Sequence, residues 1–590
     1  MFFYADVNIS GTGGIRTFII TDEDTLPANP DQNTLYIQTG KQRLITLEVS
    51  GGKLLLLGDP VYAPGTLNGK TIVTEPGKID LEALYNVAKG HYNWFYMTED
   101  ALLAGQSFGA VFPVYYRQDR ERTVFCSDAF TLAERTDAGA PDKRNLLERL
   151  LFNYPFFGST WWEHIRLLES HRYLHLSSDK VAVDGGFEVS DYFSAPEDTS
   201  RDSLPALADL FQEECRLFFP EKNFGISLTG GFDGRTLVAV ARHDHKDFFA
   251  YSFGRPDSSD VTLPARQAKA LGIPYTPVLL DEKYVDASSL ESGWAFMQKT
   301  GFNGNFGRPH YLHAARQLAE KTEYILTGNF GSELFRALHL PGVMMSESLI
   351  RIFSAGDDSW KDHLIKASAT WDGTFFREET EALIADIDAY IARMKGWEAN
   401  HKFYYFVFNE IFRKYFGPEL VMQSHFLNNR TPYLNLHFFR QLNRTIWSGV
   451  HSRLFEKTKS KRMKGQQFYA TFIRRSDPSL YHMNTNKGYS PADVTESWRL
   501  PFLLGKVLAH RYLFYKDIDD NSVSSFFSKF HPQIAANVLD GSLPAFLSDR
   551  INTSLSEIPH LERMDEWVKI YSIASGWSMS EKIGQQQPAR

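Results

Sequence analysis

Residues 224–244 read FGISLTGGFDGRTLVAVARHD. An apolar strand ends at Thr229, Gly230 and Gly231 turn the chain, and a helix starts near Gly234. Glycines at such a turn permit positive φ and let a ligand approach the backbone closely. The helix that follows presents N–H groups without intrahelical partners at the positive end of its dipole, which suits phosphate. Asp233 would repel bare phosphate there, so its carboxylate makes sense on a phosphate-bound Mg2+. Arg235 opposes the helix dipole unless it faces an anion. From these residues alone, Thr229, Gly230, Gly231, Asp233, Gly234 and Arg235 form a candidate phosphate loop. A plain strand-to-helix connector is an equal reading, because isolated glycine motifs are weak evidence.

Around this loop the chain alternates short apolar strands with amphipathic helices. PALADLFQEECRLFF, RTLVAVARHD, LPARQAKALG and YLHAARQLAEK read as helices, and DFFAYSFG, YTPVLL and YILTG as strands. That alternation predicts a parallel sheet with helices on both faces. Beyond about residue 340 the pattern is mostly helical. Residues 1–130 read instead as antiparallel strands, in RLITLEVSGGKLLLLGDPVYA and in HYNWFYMTEDALLAGQSFGAVFPVYY, with hairpin turns at TEDA and SFGA. SAPEDTSRDS (194–203) marks a boundary between domains. The domains expected are 1–195, 204–495 and a helical extension over 496–590.

Composition narrows the function classes. A chain of 590 residues exceeds one hydrophobic core. Cys126 and Cys215, the only cysteines, cannot make a disulfide framework or a four-ligand zinc site. With 63 Lys+Arg against 71 Asp+Glu, the balance argues against nucleic acid as partner. The lack of a long apolar run argues against a membrane, and the absence of a basic, apolar leader points to the cytoplasm. The basic run KTKSKRMK (457–464) reads as a solvated face, with an acidic leader peptide or nucleic acid as the sharper alternative. His243 and His245 read as the polar end of a helix.

TGGFDG resembles the SGGxDS pyrophosphate loop of the ATP-pyrophosphatase superfamily. Four further stretches narrow the resemblance to the asparagine synthetase family: SFGRPDSSDVTLPARQAKALGIPYTPVLL, LTGNFGSELF (326–335), RTPYLNLHFF (430–439) and NKGYSP (486–491). ALLAGQSFGAVFPVYY, TVFCSDAF and LFNYPFFGSTWWEHIRLLESHRYLHL are similar to that family's N-terminal half and interdomain stretch. The likeness covers roughly residues 70–495, and its weight lies in the shared order of the pieces, since each motif alone is soft. It implies an Ntn-hydrolase-like αββα sandwich, followed by a doubly wound ATP-pyrophosphatase (HUP-like) domain with a helical C-terminal region. It also implies ATP and Mg2+, with Ser252 and Gly328 in the nucleotide site, Lys487 against the α-phosphate and Glu333 as a further catalytic group.

Three departures bear on mechanism. The family's glutaminase nucleophile is a cysteine after the initiator methionine, and position 2 here is Phe2. The loop's last serine is Gly234, and the family's paired acids become Ser332 and Glu333. The expectation is therefore an ATP-dependent amide ligase that activates a carboxylate as its adenylate, for attack by an amine from a source other than glutamine. Members without the cysteine, the lasso-peptide cyclases and β-lactam synthetases, close an amide within one molecule. The resemblance then implies a small-molecule or peptide carboxylate as substrate and a peptide-maturation protease as partner. An ammonia-using synthetase, a weak ATP-binding scaffold and an RNA-modifying relative are the competing readings.

Overall fold

The computed structural model describes residues 1–8, 17–20, 27, 30–119, 122–177, 181–335, 344–354, 356–454, 463–513, 522–556 and 564–586. Its first strands are β1 (Phe2–Asn8), β2 (Thr17–Ile20), β3 (Thr34–Gln38), β4 (Arg43–Val49), β5 (Gly52–Val61) and β6 (Lys89–Thr98). They are followed by β7 (Ala101–Gln106), β8 (Tyr115–Gln118), β9 (Arg122–Cys126), β10 (Arg166–Leu167), β11 (Tyr173–Ser177) and β12 (Val181–Asp184). These build two sheets, ordered β10-β8-β9-β1-β3-β2 and β12-β11-β7-β6-β5-β4.

Strand periodicity explains how they stack. Phe3, Ala5, Leu35 and Ile37 from the first sheet meet Leu55, Leu57, Phe95 and Ala104 from the second in one apolar cluster. Their sequence neighbours point the other way. Leu54, Leu56 and Trp94 pack with Ile72, Leu84 and Tyr85, and Tyr4 and Val124 with Ala129 and Leu132. Helices Leu81–Val87 and Ala129–Arg135 therefore cover the outer faces, giving four layers. TEDA is the β6–β7 hairpin, with Thr98 Oγ1 accepting from Ala101 N at 2.9 Å. SFGA is not a hairpin. Gly109 and Ala110 take positive φ there, and the chain leaves β7 in one sheet to enter β8 in the other. Pairing is antiparallel throughout both sheets except for β2 with β3, which are parallel.

The third sheet joins β13 (Lys222–Ser227), β14 (Asp247–Gly254), β15 (Tyr275–Leu279), β16 (Tyr324–Leu326) and β17 (Asn428–Arg430), in the order β15-β14-β13-β16-β17. Every pair in it is parallel. Its two faces are both buried. Phe224, Ile226, Ala250 and Leu326 share a cluster with Leu237 and Val238 of helix Asp233–His243. Tyr251, Val278 and Ile325 instead meet Ala314 and Leu318 of helix His310–Ala319. The strand order reverses between β13 and β16.

Polar ties bind the sandwich to the α/β half. Arg430 Nε reaches Asp59 Oδ2 at 2.6 Å, and Lys89 lies 3.4 Å from Glu214, all four side chains being buried. The last described helix is equally integral. Helix Met564–Gln586 lays Gly576 against Trp161, and Ser580 O accepts from Trp162 Nε1 at 3.3 Å. Lys569 Nζ donates to Leu150 O at 2.8 Å, while Ser572 Oγ accepts from Phe306 N at 2.9 Å. This segment thus touches the sandwich and the α/β half together. Among the described residues no helix is long and apolar enough to cross a membrane.

Candidate functional site

In open parallel sheets the crevice beyond the carboxyl ends of the strands, where strand order reverses, is the usual ligand position. The 228–234 loop leaves β13 at that point, beside the 327–331 loop leaving β16. The two loops touch. A Cβ on Gly328 would lie 2.5 Å from Asp233 Cβ, and one on Gly331 would lie 3.1 Å from Asp233 Oδ1. Within the first loop, Gly231 N donates to Thr229 Oγ1 and Gly230 N to Asp260 Oδ1, both at 3.4 Å. Helix Asp233–His243 follows at once.

A third segment closes the site. Asn486 N donates to Gly230 O at 3.0 Å. Residues 485–489 form a tight turn in which Gly488 takes a φ of +81° and Thr485 Oγ1 donates to Tyr489 O at 2.8 Å. The cleft so formed encloses about 60 Å³. Gly231, Asp233 and Ser332 line it on one side, and Lys487, Gln466 and Tyr469 on others. Asp233 and Lys487, far apart in sequence, face one space.

The remaining candidates fall at several distances from that space. Arg235 is fully buried and gives Nη1 to Met483 O at 2.6 Å and Nη2 to Asn484 O at 3.0 Å. Its guanidinium holds the segment that carries Lys487, so it grips protein backbone and not the phosphate that the sequence suggested. Ser332 lines the cleft and donates to Glu333 Oε1 at 3.0 Å, so the acid stands behind the hydroxyl. Ser252, on β14, is buried and bonded to Tyr275 Oη at 2.6 Å, outside the lining. Gly234 is a steric requirement: a Cβ there would sit 1.9 Å from Ser227 O, so a serine would displace the loop. The basic stretch 457–464 lies outside the described residues except Met463 and Lys464.

Sequence reasoning missed several groups. Tyr433 Oη donates to Asp233 O at 3.1 Å, and burial pushes the Tyr433 and Tyr469 phenols far up, with the Asp233 carboxylate adding to both. Tyr469 sits in QQFYATFIRRS, an amphipathic helix whose apolar stripe gives no hint that one of its members faces a ligand cleft. Asp260 is raised by burial, which the Gly230 N–H partly offsets. Burial pushes both cysteine thiols well above their usual range, so neither is an activated nucleophile. Among the described residues no group of three or more His, Cys, Asp and Glu could hold a metal by itself. Mg2+ needs no such cage where phosphates supply further oxygens, so Asp233 at the helix start fits a phosphate-bound ion.

No protein-family model matches the chain, and no curated protein does. Solved structures that it matches include a glutamine phosphoribosylpyrophosphate (PRPP) amidotransferase from B. subtilis complexed with ADP and GMP. Another is described as the allosteric regulatory enzyme of purine biosynthesis. Each is 13% identical over 55% of this chain, covering 71% of the first and 70% of the second, at a TM-score of 0.16. A score that low carries no argument about this chain.

Proposed function

We propose that the protein is an ATP-dependent carbon–nitrogen ligase of the asparagine synthetase kind. It activates a small-molecule or peptide carboxylate as the acyl-adenylate, with release of pyrophosphate, and an amine on the same molecule then attacks the acyl carbon, forming the amide and expelling AMP. The observation that carries this reading is the meeting of Asp233 and Lys487 across one cleft at the reversal of strand order. The amide groups at the start of helix Asp233–His243 are suited to the phosphates and Asp233 to their Mg2+, which would neutralise charge on the departing pyrophosphate. Lys487 offers a fixed cation where negative charge develops, the kind of preorganised partner that contributes most to such a step. Arg235 acts as a positioning residue through the 483–484 backbone. The buried, unactivated cysteines support an amine source other than glutamine. A peptide-maturation protease is the proposed partner if the substrate is a peptide.

Ser332, standing where an acid would add a second metal ligand, favours one other reading: a scaffold that binds ATP weakly without turnover. ATP–pyrophosphate exchange in the presence of candidate carboxylates separates the two. Exchange is expected in the wild type, absent in Asp233→Ala, and slowed about 10²–10³-fold in Lys487→Met with ATP binding little changed. No exchange with any carboxylate while ATP still binds selects the scaffold.

A further inference from the structure

A second cavity, slightly larger than the cleft and remote from it in lining, encloses about 80 Å³ between the sandwich and helix Phe412–Ser424. Four cations line it, Arg149, Lys299, Arg413 and Lys414, against the single carboxylate of Asp128. That carboxylate is already engaged, accepting from Thr131 N at 2.6 Å. Lys414 is paired with Glu410 and Lys299 is partly exposed, so the buried charge without a hydrogen-bonded carboxylate lies on Arg149 and Arg413, where it is costly.

Arg413 is the most telling of the four. Its side chain is 2% exposed. Nη1 donates to Leu168 O at 2.5 Å, whereas Nε and Nη2 have no hydrogen-bond acceptor. Glu410 Oε1 stands 3.7 Å from Nη2, and its other oxygen is taken by Lys414 Nζ at 2.5 Å. A π-helical turn, Val407–Ile411, immediately precedes this arginine, a rare insertion that re-aims the side chains after it. Arg149 lines the same cavity, stacked at 3.9 Å over Trp161 and held by Asn145 and Asn303 through bonds of 2.7 and 2.6 Å. Burial brings the Arg149 pKa down to about 9, outweighing the support of Tyr115 and Glu148. Val111, Pro113, Tyr154, Trp161 and Val421 add apolar surface between the charges.

We propose that this cavity binds a small organic anion, with a carboxylate or phosphate group on Arg413 and Arg149 and an apolar body against Trp161. A mostly apolar lining with a few converging polar groups is the make-up of small-molecule sites. The proposal is independent of the ligase reading, since it concerns residues outside the cleft and is read by binding alone.

The test uses the full chain and calorimetric titration with benzoate, phenyl phosphate, inorganic phosphate and the neutral benzyl alcohol. Benzoate or phenyl phosphate is expected to bind at least tenfold more tightly than inorganic phosphate, and benzyl alcohol not to bind. Preference between benzoate and phenyl phosphate assigns the anionic group. Arg413→Met should weaken the favoured anion tenfold or more while the far-UV circular dichroism of the chain is retained. Lys299→Met, at the partly exposed rim, repeats the test if Arg413→Met does not fold, with a loss of threefold or more. The proposal is overturned if no anion binds, if benzyl alcohol or inorganic phosphate binds as well as the organic anions, or if the folded variant binds them as the wild type does.

Discussion

Gly234 shows how a single hydrogen decides a loop. A Cβ at this position would lie within 1.9 Å of the Ser227 carbonyl oxygen, far inside contact distance. Restoring the serine of the resembled pattern by Gly234→Ser should therefore weaken the site rather than improve it. We expect a loss of about 1–3 kcal/mol in urea denaturation, as for other overpacked positions, together with slower pyrophosphate exchange. A variant as stable and faster than wild type would show that the loop yields freely. At this scale the sequence told part of the story. Asp233 and Lys487 were legible as site candidates from residue type and motif. The direction taken by Arg235 was not, because the carbonyls of Met483 and Asn484 that receive it arrive from a segment no local pattern connects to it.

Elements raise a different question, that of what each one shields. Helix Lys143–Phe152 carries Glu148 into the interior, where its carboxylate accepts from Arg144 Nε at 2.9 Å and Phe156 N at 2.8 Å. Burial pushes its pKa up to about 7 despite the Arg144 guanidinium. A carboxyl raised on folding binds its proton more tightly in the native state, so its contribution is fully present below the unfolded value near 4.5. That contribution is lost as pH rises through about 7. Urea midpoints of wild type and Glu148→Gln, taken from about pH 4.5 to 7.5, should diverge with that sign, the wild type losing ground as pH rises. Parallel curves would mean that Arg144 fully compensates the burial. A further element-level prediction concerns Gly576, whose Cβ would fall 2.2 Å from Trp161 Cζ2. Gly576→Val should cost about 1–3 kcal/mol by overpacking, whereas Gly584→Val, in open space on the same helix, should be neutral or slightly stabilising, because glycine is the poorer helix former. Equal midpoints for the two would remove the Trp161 contact from the account.

The same level shows where strand reading succeeds and fails. The run of four leucines at Leu54–Leu57 reads as a strand buried on both faces, and both clusters draw on it, but four identical side chains do not say which residue takes which face. The turn at SFGA looks like a hairpin locally, and only the stacking of two sheets makes it a crossing between them. Parallel pairing of β2 with β3 likewise has no local signature.

Across the whole molecule, one apolar cluster runs without interruption from the outer layers of the sandwich through the α/β half to Trp577. The boundary legible at 194–203 separates two compositions, and the residues on its two sides share buried partners. Asp59 is the clearest, held by Arg430 at 2.6 Å and Arg43 at 2.7 Å. Asp59→Ala leaves Arg430 buried without its counter-charge and should lower stability by about 3–5 kcal/mol. Calorimetry should show one transition moving as a unit, because the lost pair belongs to both halves. A split into two peaks would mean that the sandwich and the parallel sheet melt separately. The helical extension was legible as helices, since its periodicity is local. Its role was not, because the positions it touches, Leu150, Trp162 and Phe306, lie hundreds of residues upstream.

The lateness of that last helix has a consequence in time. Trp161 and Trp162 leave the ribosome long before the segment that covers them. At a synthesis rate of ~5–20 residues per second, the roughly 400 intervening residues take about 20–80 s to appear. Through that interval the nascent sandwich carries an uncovered tryptophan face beside Arg149 and Phe130, surface of the kind that draws chaperones or sticks to neighbouring chains. Slowing elongation downstream of the sandwich should therefore lower the soluble yield of this protein more than that of Gly576→Val, in which the late cover is already impaired.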